Sequence, residues 1–290
     1  MKKVALGSLA ALLVAAMLVT VLLVAGCGSK STTKKAGSPA QQVLDKSQTK
    51  MQGIQSLKMA GKATILTPQS ETKTDAVTYT AEMKVLSKSD VEMHMVASQS
   101  NGKKSEMYVV GGYLYSFDSA KGWTKEKVDT ASQQQNFMTP SAMNNLTKYA
   151  ENLKQGADQN GKYVISFDVG SKMFDQMLTQ AAGTAQTTSP ADKQATQQLM
   201  QSMRDMLSGL KMGVVYKIDK TTSLADGATI HMSMKGTPVI GDLTVDMAVT
   251  FTDYNVPVTI TLPPEAQAAP EVQPNPSGIP NIPSIPGLGL

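Results

Sequence analysis

The chain is 290 residues long, with 41% apolar and 5% aromatic residues and a formal net charge of +4. A charge this small, carried by residues spread along the chain, excludes nucleic-acid binding as a main function. A single cysteine excludes a disulfide within the chain and a zinc cluster built on cysteines.

The amino terminus has the pattern of a secretory signal peptide. Lys2 and Lys3 precede an uncharged, largely apolar run over residues 4–24, and small residues then lead to Cys27. This Ala-Gly-Cys ending resembles the bacterial lipobox. The resemblance implies a diacylglyceryl group on the Cys27 sulfur, cleavage after residue 26, and an acyl chain such as palmitate on the new amino terminus. An acylated sulfur also excludes thiol catalysis.

Such acylation predicts a lipoprotein held at the extracytoplasmic face of the cell membrane. Two or three acyl chains suffice for stable anchoring, because each buried CH₂ contributes about 0.8 kcal/mol. Cleavage removes two lysines and leaves a net charge of +2. The alternative is an uncleaved transmembrane anchor, since the apolar run is long enough to span a bilayer. Both readings place the remaining domain outside the cytoplasm.

After the signal peptide, composition divides the chain into three parts. Residues 27–37 contain no large apolar side chain and are predicted to be a flexible tether. Residues 38–262 are long enough for one domain with a single core. Residues 263–290 hold eight of the fourteen prolines, which predicts an extended, mostly disordered tail. Isoleucines at the end of this tail leave open a strip that docks a protein partner.

The domain opens with a helix and continues with strands. Ser38 is placed to cap a helix whose first residue is Pro39. Alternation of apolar and polar residues then predicts antiparallel strands with one face buried, with turns at Asn101-Gly102 and Gly111-Gly112. The inward-facing residues are predicted to be every second residue over Leu57 to Ile65, Val77 to Val85 and Val91 to Ala97, followed by Met107 and Val109, and by Tyr113, Tyr115 and Phe117.

Helical spacing interrupts these strands. One helix is predicted to start at Thr139-Pro140 and to run through Leu146 to Leu153, before an Asn160-Gly161 turn and a strand from Tyr163 to Val169. A second covers Met173 to Leu178, and a third runs from Ser189 to about Leu210, with a mobile loop over residues 183–188 between them. Alternation returns over Met212 to Ile218, Ala228 to Met234, Leu243 to Phe251, and Val256 to Ile260.

These elements predict an α+β fold. It consists of about ten strands in a strongly curved antiparallel sheet, a half-barrel, with three or four helices covering its concave face.

Methionine is concentrated on the surface where sheet and helices would meet. Unbranched, polarizable side chains suit irregular apolar sites and specify a rigid core poorly. We therefore expect a cavity between sheet and helices that admits an acyl chain or a similar apolar ligand. The alternative is an ordinary core that uses methionine. The candidate lining residues are Met83, Met93, Met95, Met107, Met203, Met206, Met232 and Met234.

The order of these features resembles the bacterial lipoproteins of the LolA/LolB and LppX/LprG type. Two stretches carry the resemblance besides Cys27: Tyr113-Leu114-Tyr115 followed by Gly122-Trp123-Thr124-Lys125, and residues 216–224. The resemblance implies a half-barrel closed by helices over an apolar cavity. It also implies the carriage of lipids or lipoproteins between membranes.

Both histidines adjoin methionines, a combination that suits Cu(I). However, Met93 and Met95 point to one side of a regular strand and His94 to the other, and His231 is opposed to Met232 and Met234 in the same way. We therefore predict no metal site and no cofactor. Exposed strand histidines are the expected arrangement.

Catalytic motifs are also absent from the sequence. Residues 156–162 have phosphate-loop spacing, but Tyr163 stands where Ser or Thr is required and the order of elements does not fit, so a hairpin-like turn is expected. The strand carboxylates fall on the outward phase, at Glu82, Glu92, Glu106, Asp168 and Asp246. We predict that the chain is not an enzyme and that it binds a lipid or apolar ligand. The competing class is a cell-envelope interaction or sensor protein with a solid core.

Overall fold

The fold is a single open, curved sheet of twelve strands. The computed structural model describes residues 37–66, 75–87, 90–100, 102–118, 122–128, 146–170, 172–173, 201, 209–235 and 242–272. The strand order is β12-β6-β5-β4-β3-β2-β1-β11-β10-β9-β8-β7. Every pairing is antiparallel except that of β12 with β6, which is parallel. The sheet is therefore mixed at one edge, and it has two strands more than the ten predicted.

The strands and helices have the following bounds. The strands are β1 (Ser56–Leu66), β2 (Asp75–Ser87), β3 (Asp90–Gln99), β4 (Lys104–Val110), β5 (Tyr113–Asp118), β6 (Gly122–Lys127), β7 (Ala150–Gln155), β8 (Lys162–Val169), β9 (Leu210–Asp219), β10 (Ala225–Met234), β11 (Leu243–Thr252) and β12 (Glu271–Val272). The helices are α1 (Pro39–Met51) and the short α2 (Pro264–Gln267).

Helix α1 begins where its capping residues predict. The Ser38 hydroxyl accepts a hydrogen bond from the Gln41 N–H at 3.3 Å, and Pro39 occupies the first turn. Its buried face packs against β7 and β8, and the Gln48 side chain donates a hydrogen bond to the Thr147 hydroxyl. This face consists of Ala40, Leu44, Ser47 and Met51. The first helix of the sequence prediction is confirmed.

Short turns set the register of the sheet. Gly111 and Gly112 both have positive φ, so β4 and β5 are joined by a two-residue turn that pairs Val110 with Tyr113. Asn160 and Gly161 also have positive φ, at the turn between β7 and β8. The stretch with phosphate-loop spacing is therefore a hairpin turn, as predicted.

One face of the sheet forms the core. Burial alternates with exposure along β9, β10 and β11, as expected for strands with one covered and one solvated side. We call the covered side the inner face and the opposite side the outer face. Inner-face side chains and α1 share one apolar cluster, which also contains Leu146 and Met173.

Two predicted helical assignments are wrong at their ends. Leu153 lies in β7, where pairing with β8 replaces the predicted helix, and only residues 146–148 of that helix are described as helical. Leu210 starts β9 opposite Met234 and does not end a helix. In both places strand pairing outweighs an apolar spacing that also fits a helix.

The final predicted strand, Val256 to Ile260, is not a strand. Here the chain leaves β11 and is held at the start of β1, where the Ser56 hydroxyl donates to the Val256 carbonyl at 2.6 Å and the Gln55 N–H donates to Asn255 Oδ1 at 2.8 Å. It then crosses to the far edge of the sheet, where α2 packs against β5 and β6.

This crossing also corrects the predicted start of a disordered tail at residue 263. Residues 264–272 form α2 and β12, Ala266 is fully buried, and the Pro270 carbonyl accepts a hydrogen bond from the Lys125 N–H at 3.0 Å. Prolines at the ends of short elements are compatible with this order. Residues 273–290 lie outside the described ranges.

Several predictions fall on residues that the structure does not describe. These are the signal peptide, Cys27, most of the tether, the helix start at residues 139–145, residues 174–178 of the second helix, the loop over 183–188, nearly all of the third helix, and Met203 and Met206. Coverage of the concave face by these helices therefore stays a prediction. Within the described ranges, no helix has the length and apolarity needed to cross a membrane.

Candidate functional site

The inner face brings four of the predicted methionines together as two pairs, and it places a fifth opposite Met212. Met83 lies directly opposite Met93, Met95 opposite Met107, and Met212 opposite Met232. Directly opposed residues on neighbouring strands point to the same face, with Cβ atoms about 5 Å apart. The sheet therefore presents methionine ladders, which the period-two pattern predicted only as a shared phase.

All six described candidates have inner-face positions, and five of them are buried. Met83 and Met93 are 1% exposed, and Met95 is half-buried. The buried five are Met83, Met93, Met107, Met232 and Met234. Their placement on the inner face agrees with the prediction, and their contact with a ligand is a separate question.

The inner-face methionines separate into two groups. Met212, Met232 and Met234 belong to the large cluster that includes Leu44 of helix α1. Met93 and Met107 form a smaller cluster with Val109 and Leu114, against which Val128 packs. Met95 packs against both clusters and so lies at their junction.

Between the two groups, a glycine and a tyrosine lie opposite each other on the inner face. Gly61 of β1 is opposite Tyr79 of β2, and a Cβ on Gly61 would overlap the Tyr79 ring. The ring therefore lies across the strand, which only glycine permits at this position. Burial raises the pKa of Tyr79 to about 12.

At the far end, the inner face becomes polar. Glu126 of β6 is opposite Leu114 of β5 and is only 5% exposed, and the buried Ser116 is opposite Thr124, with 3.3 Å between their hydroxyl oxygens. Leu114 and Ser116 point inward, whereas the sequence prediction placed Tyr113, Tyr115 and Phe117 there. That phase assignment is wrong.

The inward positions of Leu114, Ser116 and Glu126 were predictable from the sequence. A two-residue turn places the residues on either side of it, Val110 and Tyr113, on the same face. Since Val109 faces inward, Leu114 and then Ser116 and Glu126 must do so too. Alternating aromatic residues suggested the opposite phase because large rings are usually buried.

The histidines lie on the outer face, opposite the methionines, as strand geometry predicts. His94 Nε2 is 2.8 Å from Glu106 Oε1, and His231 Nδ1 is 2.6 Å from Asp246 Oδ1. Each imidazole is therefore engaged with a carboxylate on a neighbouring strand. In the described part of the chain, no three His, Cys, Asp or Glu side chains lie close enough to hold a metal ion.

The outward carboxylates are engaged in ordinary surface pairs. Lys58 Nζ lies 3.1 Å from Glu82 Oε1, and Lys84 Nζ lies 3.4 Å from Glu92 Oε2. Exposed pairs of this kind contribute about 0–1 kcal/mol each. These two carboxylates are thus paired with lysines on neighbouring strands.

Several solved structures are similar to this chain. The lipoprotein LppX of Mycobacterium tuberculosis aligns at 10% identity with a TM-score of 0.45, covering 77% of this chain and 98% of its own. A LolA superfamily protein of Nitrosomonas europaea aligns at 9% identity with a TM-score of 0.28, covering 77% and 96%. These two structures are of the LppX type and the LolA type, which the sequence also resembles.

A third structure is a DUF1329 family protein of Desulfovibrio piger, with 8% identity, a TM-score of 0.32, and coverage of 77% of this chain and 96% of that one. No curated protein sequence matches the chain. A family model matches residues 39–271, which include α1 and eleven strands of the sheet and reach the first residue of the twelfth. The chain belongs to the family of unknown function DUF6612.

Proposed function

We propose that this chain is a membrane-anchored extracytoplasmic lipoprotein that binds a lipid or another apolar molecule against the inner face of its sheet. Acylated Cys27 is the proposed link to the membrane, and lipid carriage is the proposed use of the site. The lipobox-like sequence before Cys27 supports the anchor. Binding is non-covalent and needs no cofactor.

The observation that carries the proposal is the junction at Met95. This side chain is half-buried between two apolar clusters, where a flexible thioether adapts to a contact on either side. The neighbouring rows are apolar across β2 and β3, with Met83 opposite Met93 and Ala81 opposite Met95. An acyl chain laid along this junction would contact apolar side chains of these two strands.

A second candidate is favoured by the burial itself. Met83 and Met93 are almost fully enclosed by side chains of the protein itself. Packing of that kind also fits a solid core, and it would suit an interaction or sensor protein that meets another protein through its outer face or its carboxyl-terminal region. Ligand analysis separates the two candidates.

The test is organic extraction of the purified full chain, followed by mass spectrometry. Under the first proposal, a stoichiometric apolar compound co-purifies, and it exceeds the acyl chains expected on Cys27 itself. Met95→Gln should lower affinity roughly 5- to 150-fold, because an amide placed against a ligand without a partner costs about 1–3 kcal/mol.

Val96→Gln is the matched control, since Val96 is the next residue of β3 and lies on the outer face. It should leave the extracted compound unchanged. Wild-type protein that yields no apolar compound beyond its own acyl groups would refute the lipid-binding proposal and favour the solid-core alternative.

A further inference from the structure

The outer face of one half of the sheet carries an aromatic strip. The chain has fourteen aromatic residues, including a single tryptophan, and five of them lie on the outer face of β4, β5 and β6. Elsewhere on the sheet, the described outer-face residues of β8 to β11 include no aromatic side chain. The aromatic strip consists of Tyr108, Tyr113, Tyr115, Phe117 and Trp123.

The strip is layered around Trp123. The Trp123 ring lies 5.8 Å from Tyr108 and 5.4 Å from Phe117, measured between ring centroids. Tyr108 is the buried member of the strip: it stacks on His94 at 4.2 Å and donates a hydrogen bond to Glu106 at 2.7 Å. The base of the strip is thus fixed inside the protein, while Trp123 and Phe117 stay partly exposed.

Lysines stand at both ends of this strip. Lys104 begins β4, and Lys127 ends β6 opposite Tyr113. Both are exposed, and neither has an acidic partner among the described residues. Lys125 lies over the Tyr113 ring at 5.7 Å and opposite Glu271. By contrast, the Glu106 carboxylate lies within hydrogen-bonding distance of His94 Nε2 and accepts a hydrogen bond from the Tyr108 hydroxyl.

Partly exposed aromatic rings flanked by uncompensated lysines have the chemistry of a membrane-interface contact. Tryptophan and tyrosine favour the headgroup level of a bilayer, and each lysine near an anionic surface adds to its attraction. Clustered apolar rings on an otherwise solvated sheet face also indicate a contact surface. We propose that the aromatic strip docks on the surface of an anionic lipid bilayer.

This inference rests on the proposed placement of the chain at a membrane. Docking through the strip would hold β4–β6 at the headgroup level, with the small cluster around Met93 and Leu114 on the opposite side of the same strands. Docking of the strip would thus orient the tethered domain on the membrane, whether or not the inner face holds a ligand.

The single tryptophan permits a direct test. The full chain is reconstituted into phosphatidylglycerol vesicles that carry a shallow doxyl-labelled phospholipid, and Trp123 emission is compared with that in phosphatidylcholine vesicles carrying the same label. We expect the emission to fall roughly twofold and to shift to shorter wavelength in the anionic vesicles alone. Soluble quencher should then reach Trp123 less than in the vesicle-free protein.

Charge variants give the matched control. Lys104→Gln with Lys127→Gln should weaken docking roughly 30-fold, on the scale of two lysines removed from an anionic surface. Lys211→Gln with Lys217→Gln removes two exposed lysines from the outer face of β9 and should leave quenching unchanged. An equal loss of docking in both double variants would mean that lysines on any face attract the vesicles, and it would overturn the proposal.

Other outcomes distinguish the failure of docking from the failure of the proposed function. Chain that does not float with the vesicles contradicts the anchoring proposal. Chain that floats while Trp123 stays unquenched overturns docking and leaves the anchor intact. If soluble peptidoglycan fragments, added to the vesicles, shift Trp123 emission while the doxyl label does not quench it, the strip is a glycan platform and the membrane assignment is wrong.

Discussion

Two regions of the same sheet use their faces in opposite ways. In β8–β11, which we call the helix-packed half, the inner face joins helix α1 in one large apolar cluster and the outer face is polar. In β3–β6, the aromatic half, the inner cluster is small and the outer face carries the aromatic strip. Because the larger apolar cluster lies in the helix-packed half, we expect substitutions there to destabilise the protein most.

The largest expected effect comes from the core of the helix-packed half. Phe167 is buried, with its ring centroid 6.5 Å from that of Tyr216. Phe167→Ala should lower the free energy of unfolding by about 3–5 kcal/mol, because it removes a buried ring and leaves a cavity. Urea denaturation measures this. A loss below about 1 kcal/mol would show that this half is not the main core.

A matched pair of methionines sharpens the comparison between the halves. Met232→Ala in the helix-packed half should cost about 2–5 kcal/mol whether or not lipid is present. Met93→Ala should cost less than Met232→Ala in protein stripped of lipid, if Met93 supports a ligand contact. The measurement is urea denaturation of both variants before and after organic extraction. Equal costs in stripped protein would indicate that the aromatic half is as solidly packed as the other.

A substitution at the contact between Gly61 and Tyr79 has a smaller expected effect on stability. Gly61→Ala forces a methyl group into the Tyr79 ring and should destabilise the protein by about 1–3 kcal/mol, measured by thermal or urea unfolding. Gly213→Ala is the control, because a Cβ there would meet only Asp168 Oδ1 at 3.9 Å, an ordinary contact. That variant should be neutral or slightly stabilising, and similar losses in both would reject the overlap as the cause.

The smallest effect belongs to the turn between β9 and β10. The Asp219 carboxylate accepts hydrogen bonds from the Thr222 N–H at 2.7 Å, the Thr222 hydroxyl at 2.9 Å and the Thr221 N–H at 3.0 Å. These bonds, that of the Thr222 N–H foremost, lower the pKa of Asp219. Its stabilising contribution is therefore complete above the unfolded pKa of about 3.9 and is lost as pH falls through the lower folded value.

Asp219→Asn should accordingly flatten the acid side of the stability curve, measured as the melting temperature between about pH 2 and pH 5. The effect should be small because the carboxylate is exposed to solvent. An unchanged slope in the variant would assign the acid dependence to other carboxylates.

Much of the fold was predictable because burial of one sheet face produces an alternation of apolar and polar residues along each strand. The inner-face positions of Met83, Met93 and Met232 follow from apolar residues at every second position. The helix start at Ser38 follows from its capping chemistry, which involves only neighbouring residues. Features of this kind depend on contacts within a few positions of the chain, and the sequence determines them.

Elements with two locally valid readings were predicted poorly. Leu153 fits a helical stripe, but it lies in β7 because the Asn160-Gly161 turn returns the chain as β8. Tyr113 and Tyr115 occupy alternate positions, as buried residues do, but the Gly111-Gly112 turn places both on the outer face. In each case the local spacing fits two structures equally well, and pairing with a neighbouring strand determines which of them forms.

Local sequence patterns were enough to predict the strand periods, the first helix and the placement of methionines and histidines on opposite faces, and they also predict the signal peptide. Long-range contacts established which methionines face each other, that Tyr79 lies across Gly61, that Glu126 is buried, and that the chain beyond residue 263 forms β12. The two kinds of feature differ in how far apart along the chain the interacting residues lie. Periodicity and capping act over a few residues, whereas register, the choice of face at β5 and the pairing of β12 with β6 depend on residues that meet only when the sheet assembles.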